Sequence, residues 1–125
     1  MSVQTKTVLV VEDSRDTLQV LAETLWRDGH RVVTAINGEE AVDIARRARP
    51  NLIVMDLNMP IMDGLEATRR IHRSPTLGDI PIVAITAYDT YGMEEAAREA
   101  GCVAYLRKPI DFEQLEKTVA SLLNA

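Results

Sequence analysis

A single cysteine, Cys102, in 125 residues excludes an intrachain disulfide and fits a reducing cytoplasm. No apolar run approaches the ~18 residues that a membrane span requires. The polar stretch from Met1 to Thr7 carries no signal-like apolar segment. Neither a membrane partner nor export is expected, and the chain is assigned to the cytoplasm. Basic residues are not in excess. The net charge of −5 gives no bulk electrostatic support for binding nucleic acid. There is no low-complexity tract, internal linker or obvious repeat. What is present is ordinary for one soluble domain: 46% of the residues are hydrophobic, enough for a core without disulfides or structural metal.

Strand-like and helix-like patterns alternate from end to end. The first strand is Thr7–Val11. Ser14 or Asp16 can cap a helix with Leu18, Leu21, Ala22 and Leu25 at helical spacing, ended by Gly29. Arg31–Ile36 alternates like an edge strand. Asn37-Gly38 turns into a helix that faces Ala41, Val42, Ile44, Ala45 and Ala48 inward, closed by Pro50. Leu52–Asp56 is the third strand, and Gly64 opens a helix with Leu65, Thr68 and Ile71. Ile80–Thr86 is the fourth strand, with Pro81 near its start. Tyr91–Ala100 is a helix ended by Gly101, and Val103–Leu106 is the fifth strand. Asp111 can cap a last helix with Phe112, Leu115, Val119, Leu122 and Leu123 inward. The expected fold is α/β, a doubly wound (βα)5 unit over residues 1–125. Its five-stranded parallel sheet has helices on both faces.

Four of the apolar runs end in a reactive polar residue. Val8–Val11 runs into Glu12-Asp13, Leu52–Met55 into Asp56, and Ile82–Ile85 into Thr86. Val103–Leu106 is followed by Arg107, Lys108 and Pro109. Runs this short and rich in Val and Ile read as strands buried on both faces of a parallel sheet. Ligands of such sheets bind outside the carboxyl ends of the strands. The four polar ends converge if these strands are central. The order 2-1-3-4-5 achieves this, with its switch point between strands one and three.

Glu12, Asp13 and Asp56 then crowd three negative charges together, which raises their pKa values unless a cation joins them. Magnesium suits one or two carboxylates, a carbonyl and retained waters. Asp56, exposed at the sheet edge, can act as a nucleophile toward phosphorus and form an aspartyl phosphate. The three equatorial oxygens of the transferring group need positive partners. Magnesium can take one, Lys108 another, and the Thr86 hydroxyl with the Ala87 N–H the third. Two further side chains stand beside the path of an attacking water: Asn58, two after Asp56, and Tyr88, two after Thr86. Both are expected to influence the lifetime of the phosphoryl group, with Tyr88 as a shield.

Glu12-Asp13, Asp56-Leu57-Asn58-Met59-Pro60, Asp63-Gly64, Thr86-Ala87 and Lys108-Pro109 stand in register. In this order and spacing the chain resembles the receiver domain of two-component response regulators over essentially its whole length. The resemblance implies a flavodoxin-like fold and an acceptor aspartate, Asp56, charged from a partner's phosphohistidine. The donor would be a sensor histidine kinase or a histidine phosphotransfer protein. It implies magnesium on Asp13, Asp56 and the Asn58 carbonyl, with Glu12 acting mainly through water. Lys108 would contact the phosphoryl oxygens. Thr86 would move inward on phosphorylation and Tyr105 would rotate inward behind it. Lys108-Pro109 would be cis. The only mild departure is Glu12, where Asp is frequent in the family.

The expected function is a phospho-accepting switch or relay intermediate, not a turnover enzyme. Phosphate would be gained and lost at Asp56, and a downstream protein would read the surface of the fourth helix, fifth strand and fifth helix. The chain is read as a stand-alone receiver or one excised from a longer protein, monomeric or weakly dimeric. A haloacid-dehalogenase-like phosphatase fits less well, because Asn58 stands where that family has a proton-donating Asp. A docking module that accepts no phosphate is disfavoured because every acid, Thr and Lys position is filled. A nucleotide site is disfavoured because no Gly-rich loop follows the first strand. His30 and His72 lack spaced partners and read as surface residues. Met55, Met59 and Met62 read as packing, since thioethers suit soft metals.

Overall fold

The computed structural model describes residues 5–59, 61–87 and 92–124. Five strands, β1 (Thr7–Val11), β2 (Arg31–Ala35), β3 (Leu52–Asp56), β4 (Ile82–Thr86) and β5 (Ala104–Arg107), alternate with five helices. These are α1 (Arg15–Arg27), α2 (Gly38–Ala48), α3 (Gly64–Arg73), α4 (Met93–Ala100) and α5 (Phe112–Leu123). All pairings are parallel and the order is β2-β1-β3-β4-β5, as expected.

Strand alternation divides the core between two faces. On one face Leu9, Val11, Ile53, Met55 and Ala84 pack against Ala41 and Ala45 of α2, Ala67 and Ile71 of α3, and Ala97 of α4. On the other, Val8, Val10, Val54, Val83 and Ile85 meet Leu21 and Leu25 of α1 and Leu115 and Val119 of α5. The central strands β3 and β4 are buried at every position, so their sequences are unbroken apolar runs.

Four of the five helix starts are set by side-chain caps, and α4 follows Gly92 without one. Ser14, not Asp16, caps α1 by accepting from the Thr17 N–H, and Asn37, Asp63 and Asp111 do the same for α2, α3 and α5. Capping fixes where the chain leaves each strand end, and so how the polar residues there are presented.

Some boundaries differ from expectation. β4 begins at Ile82 rather than Ile80, because Pro81 has no N–H for the ladder; its carbonyl instead accepts from Ile53. β5 is shifted one residue, leaving Val103 exposed before it. Phe112 is 37% exposed rather than inward, because it starts α5 at the rim of the sheet beside Thr17, Val20 and Pro109. Ala48, in the last turn of α2, is also exposed. The expected helix start at Tyr91 lies outside the described residues. Leu77, in the segment between α3 and β4, is buried in the core.

Cys102 lies buried just before β5, its thiol 3.9 Å from the Thr68 hydroxyl. Burial pushes its pKa up to about 11, against the smaller lowering influence of Thr68. The reactive species is the thiolate. The folded protein should therefore resist alkylation at pH 8 and react fully once denatured, as mass measurement with a maleimide or iodoacetamide would reveal. Rapid labelling of the folded chain would contradict this packing.

Candidate functional site at the carboxyl edge of the sheet

The sequence-predicted acids converge. Glu12 follows β1 and is only 1% exposed. Its backbone N–H donates to the Ala35 carbonyl, extending the β1–β2 ladder by one bond, and this directs its side chain into the edge. Asp13 follows it and is exposed. Asp56 is the last residue of β3 and, rather than exposed as expected, is 1% exposed, because Lys108 and the Asn58 backbone cover its oxygens. One carboxylate oxygen from each of Glu12, Asp13 and Asp56 lies within 4.8 Å of the other two.

The cation among them is Lys108. Its backbone N–H donates to the Thr86 carbonyl at 2.8 Å, anchoring it to the end of β4. The Lys108–Pro109 peptide is cis, as the resemblance implied. The ammonium reaches 2.6 Å from Glu12 Oε1 and 3.4 Å from Asp56 Oδ2. The remaining oxygens have backbone donors. Ser14 N–H donates to Glu12 Oε2 at 3.0 Å, and Asn58 N–H donates to Asp56 Oδ1 at 3.0 Å. Thr86, fully buried at the end of β4, donates its hydroxyl to Asn58 Oδ1 at 2.5 Å. Asp56, Asn58, Thr86 and Lys108 thus form one connected edge. Ala87 is exposed just after Thr86. Tyr88 lies outside the described residues.

Tyr105 sits two positions before Arg107, the residue in register with Thr86, and opposite Ala84. Its ring packs against the core face that holds α3 and α4, and its hydroxyl oxygen is already buried. The residue as a whole is half-buried.

Two electrostatic shifts follow from the crowding. Asp13's carboxyl is raised above its ordinary 3.8, first by desolvation and then by the hydrogen bond and negative charge of Glu12. For Lys108 desolvation is the largest single influence and lowers its pKa. The hydrogen bond to Glu12 and the charges of Asp56 and Glu12 together outweigh it, so the net shift is upward from 10.5. The pocket is starved of positive charge: it resists a third carboxylate and holds its ammonium protonated. A donor set made of carboxylate oxygens, with no thiolate or imidazole, fits a hard cation such as magnesium.

Two features of the site are not visible in the sequence. One is the close approach at Gly64. A Cβ there would lie 2.2 Å from the Asp56 carbonyl oxygen and 2.7 Å from Leu57 Cα, so α3 can begin against the end of β3 only with glycine. A glycine at the first helical position, where it carries a propensity cost, was the available signal. The other is the Thr86–Asn58 bond, which joins residues 28 apart in sequence and left no local trace.

A model of the response regulator receiver domain matches residues 8–120. The polar-differentiation response regulator DivK of Brucella anthropi is 37% identical over 118 residues, covering 94% of this chain and 96% of that protein. The chemotaxis response regulator CheY4 of Vibrio cholerae superposes with a TM-score of 0.88 at 31% identity, over 95% of this chain and 99% of that one. The receiver domain of a sensor histidine kinase from Pseudomonas aeruginosa gives 0.89 at 32% identity, over 98% of this chain and 100% of that one. That structure holds a magnesium ion in its active-site cleft. Fold, edge chemistry and family agree, and the chain belongs to the response regulator receiver domains of two-component signal transduction.

Proposed function

We propose that Asp56 is the phosphoacceptor and that magnesium binds at Glu12, Asp13 and Asp56, with the Asn58 carbonyl as a further donor. The supporting observation is the edge itself. Asp56 is a buried carboxylate with Lys108 3.4 Å from one oxygen and two more acids within 4.8 Å. The magnesium in the related Pseudomonas aeruginosa receiver supports the same assignment by likeness. The acceptor's carboxylate oxygen attacks phosphorus in line, and the P–N bond to the donor's imidazole breaks. A magnesium ion held by these residues would supply positive charge against the developing negative charge, while Lys108 takes a second phosphoryl oxygen and the Thr86 hydroxyl with the Ala87 N–H takes the third. The same residues accept phosphate from a small acyl phosphate and allow its later hydrolysis. Asn58 and Tyr88 govern that hydrolysis, with Tyr88 as the shield.

The donor is a sensor histidine kinase or a histidine phosphotransfer protein in the cytoplasm. Among the described residues no helix is long and apolar enough to cross a membrane. Thr86 and Tyr105 carry the change to the surface of α4, β5 and α5, where a downstream protein reads it. The chain acts as a monomer or weak homodimer and does not itself contact nucleic acid.

The cation assignment is tested by melting. An ion that binds only the folded state stabilises it by about 2.7 kcal/mol at one hundred times its Kd. Magnesium should raise the melting temperature of the wild type and raise that of Asp13→Ala much less. The sign with pH follows from Asp13. Its pKa is raised on folding, so without metal its contribution is most favourable at low pH and is lost as pH rises through the folded pKa. Magnesium needs the ionised form, so its stabilisation should fade as pH drops through that same pKa. A melting temperature insensitive to magnesium at neutral pH would contradict the cation assignment.

A further inference from the structure

The Thr86 hydroxyl donates to Asn58 Oδ1 at 2.5 Å, and a threonine hydroxyl has one proton to give. It cannot be donated to Asn58 and to a phosphoryl oxygen at the same time. Asn58 meanwhile touches the acceptor through its backbone, N–H to Asp56 Oδ1 at 3.0 Å. Its main chain therefore senses Asp56 while its side chain holds Thr86.

We infer that the Asn58 side chain is a latch. It holds the Thr86 hydroxyl in the unphosphorylated chain and competes with the phosphoryl group for its proton. The inference rests on the reading of Asp56 as phosphoacceptor and Thr86 as the residue that follows it. It adds a second role for Asn58, separate from any influence on an attacking water. Phosphorylation must break the Asn58–Thr86 bond before Thr86 can bind the phosphoryl oxygen. The strength of that bond then opposes the active state directly. Removing the amide acceptor should release Thr86 and favour the phosphoryl-bound arrangement.

The test is a double-mutant cycle read by binding of beryllofluoride, a phosphoryl mimic, at saturating magnesium. The proteins are wild type, Asn58→Ala, Thr86→Ala and the double variant. One hydrogen bond of ordinary net strength corresponds to roughly threefold to tenfold in affinity. Asn58→Ala should bind beryllofluoride tighter by that factor, and the gain should vanish when Thr86 is already alanine. The Thr86 methyl resonance of ligand-free Asn58→Ala should also move toward its position in the beryllofluoride complex. A simple packing role for Asn58 would not produce that coupling. Asn58→Leu, which keeps the branched shape of asparagine but offers no amide oxygen, repeats the cycle if alanine proves unstable. Equal or weaker binding by Asn58→Ala, or the same gain in both Thr86 backgrounds, overturns the latch while leaving the acceptor intact. Failure of the wild type to bind beryllofluoride with magnesium overturns the acceptor reading, and the latch with it.

Discussion

Gly64→Ala should lower the melting temperature by about 8 °C, corresponding to a net loss of about 2 kcal/mol. The added methyl would sit 2.2 Å from the Asp56 carbonyl oxygen and 2.7 Å from Leu57 Cα. Both are backbone atoms that cannot swing aside, so α3 or the end of β3 must move. Overpacking costs about 1–3 kcal/mol, and against two immovable backbone atoms it should lie at about 3 kcal/mol, offset by a gain of about 1 kcal/mol from replacing glycine by alanine in a helix. Gly29→Ala is the control. It has a positive φ of 96° but nothing within 4 Å of the added carbon, so it carries backbone strain alone. Only Gly64→Ala should also slow phosphorylation, because only that change displaces Asp56. Thermal melting with a labelling time course separates the two. Equal behaviour of the two variants would show that the close approach at Gly64 does not set the site.

Lys108→Met is expected to have the second large effect, and one that depends on magnesium. Glu12 and Asp56 have side chains only 1% and 2% exposed, and their shared cation is the Lys108 ammonium. Removing one partner of a buried ion pair costs about 3–5 kcal/mol, because the remaining charge is left uncompensated. Lys108 is 24% exposed and Asp13 is open to solvent, so screening reduces this to about 2 kcal/mol. The raised pKa of Lys108 keeps it charged across the neutral range, so the loss should persist until pH rises past 10.5. Magnesium should recover most of the lost stability, since it supplies the missing positive charge. Its stabilising effect should therefore be larger in Lys108→Met than in the wild type, while labelling of Asp56 falls. Urea unfolding with and without magnesium measures both arms. A Lys108→Met protein as stable as wild type in the absence of magnesium would contradict the pairing seen at the edge.

Much of this architecture is written in the sequence. Unbroken apolar runs such as Leu52–Met55 and Ile82–Ile85 identify central parallel strands, because burial on both faces removes the alternation of a half-exposed strand. Once those strands are central, their polar ends must meet, and Glu12, Asp13, Asp56, Thr86 and Lys108 do stand at one edge. Two helix caps were legible from residue type, Ser14 and Asp111, whereas Asn37 and Asp63, which read as turn and loop residues, also offer a side-chain oxygen to an otherwise unpaired N–H. Less legible were features decided by tertiary fit. Phe112 matches the helical period of Leu115 and Val119, yet it starts α5 past the rim of the sheet, where no partner layer covers it. Tyr105 gives no local sign of how far it is covered, since the core face it packs against is built from other strands and helices. The link between Asn58 and Thr86 depends on two strand ends brought together by the fold.

The central claim is that Asp56 alone carries the phosphoryl group. The direct measurement is intact mass after incubation with acetyl phosphate and magnesium, on wild type and Asp56→Asn. The wild type should gain one phosphoryl group, about 80 Da, as expected for a single acyl phosphate. It should gain no such mass when magnesium is withheld from the start, and Asp56→Asn should gain nothing under either condition. Equal labelling of Asp56→Asn would contradict the assignment and move the acceptor to another residue.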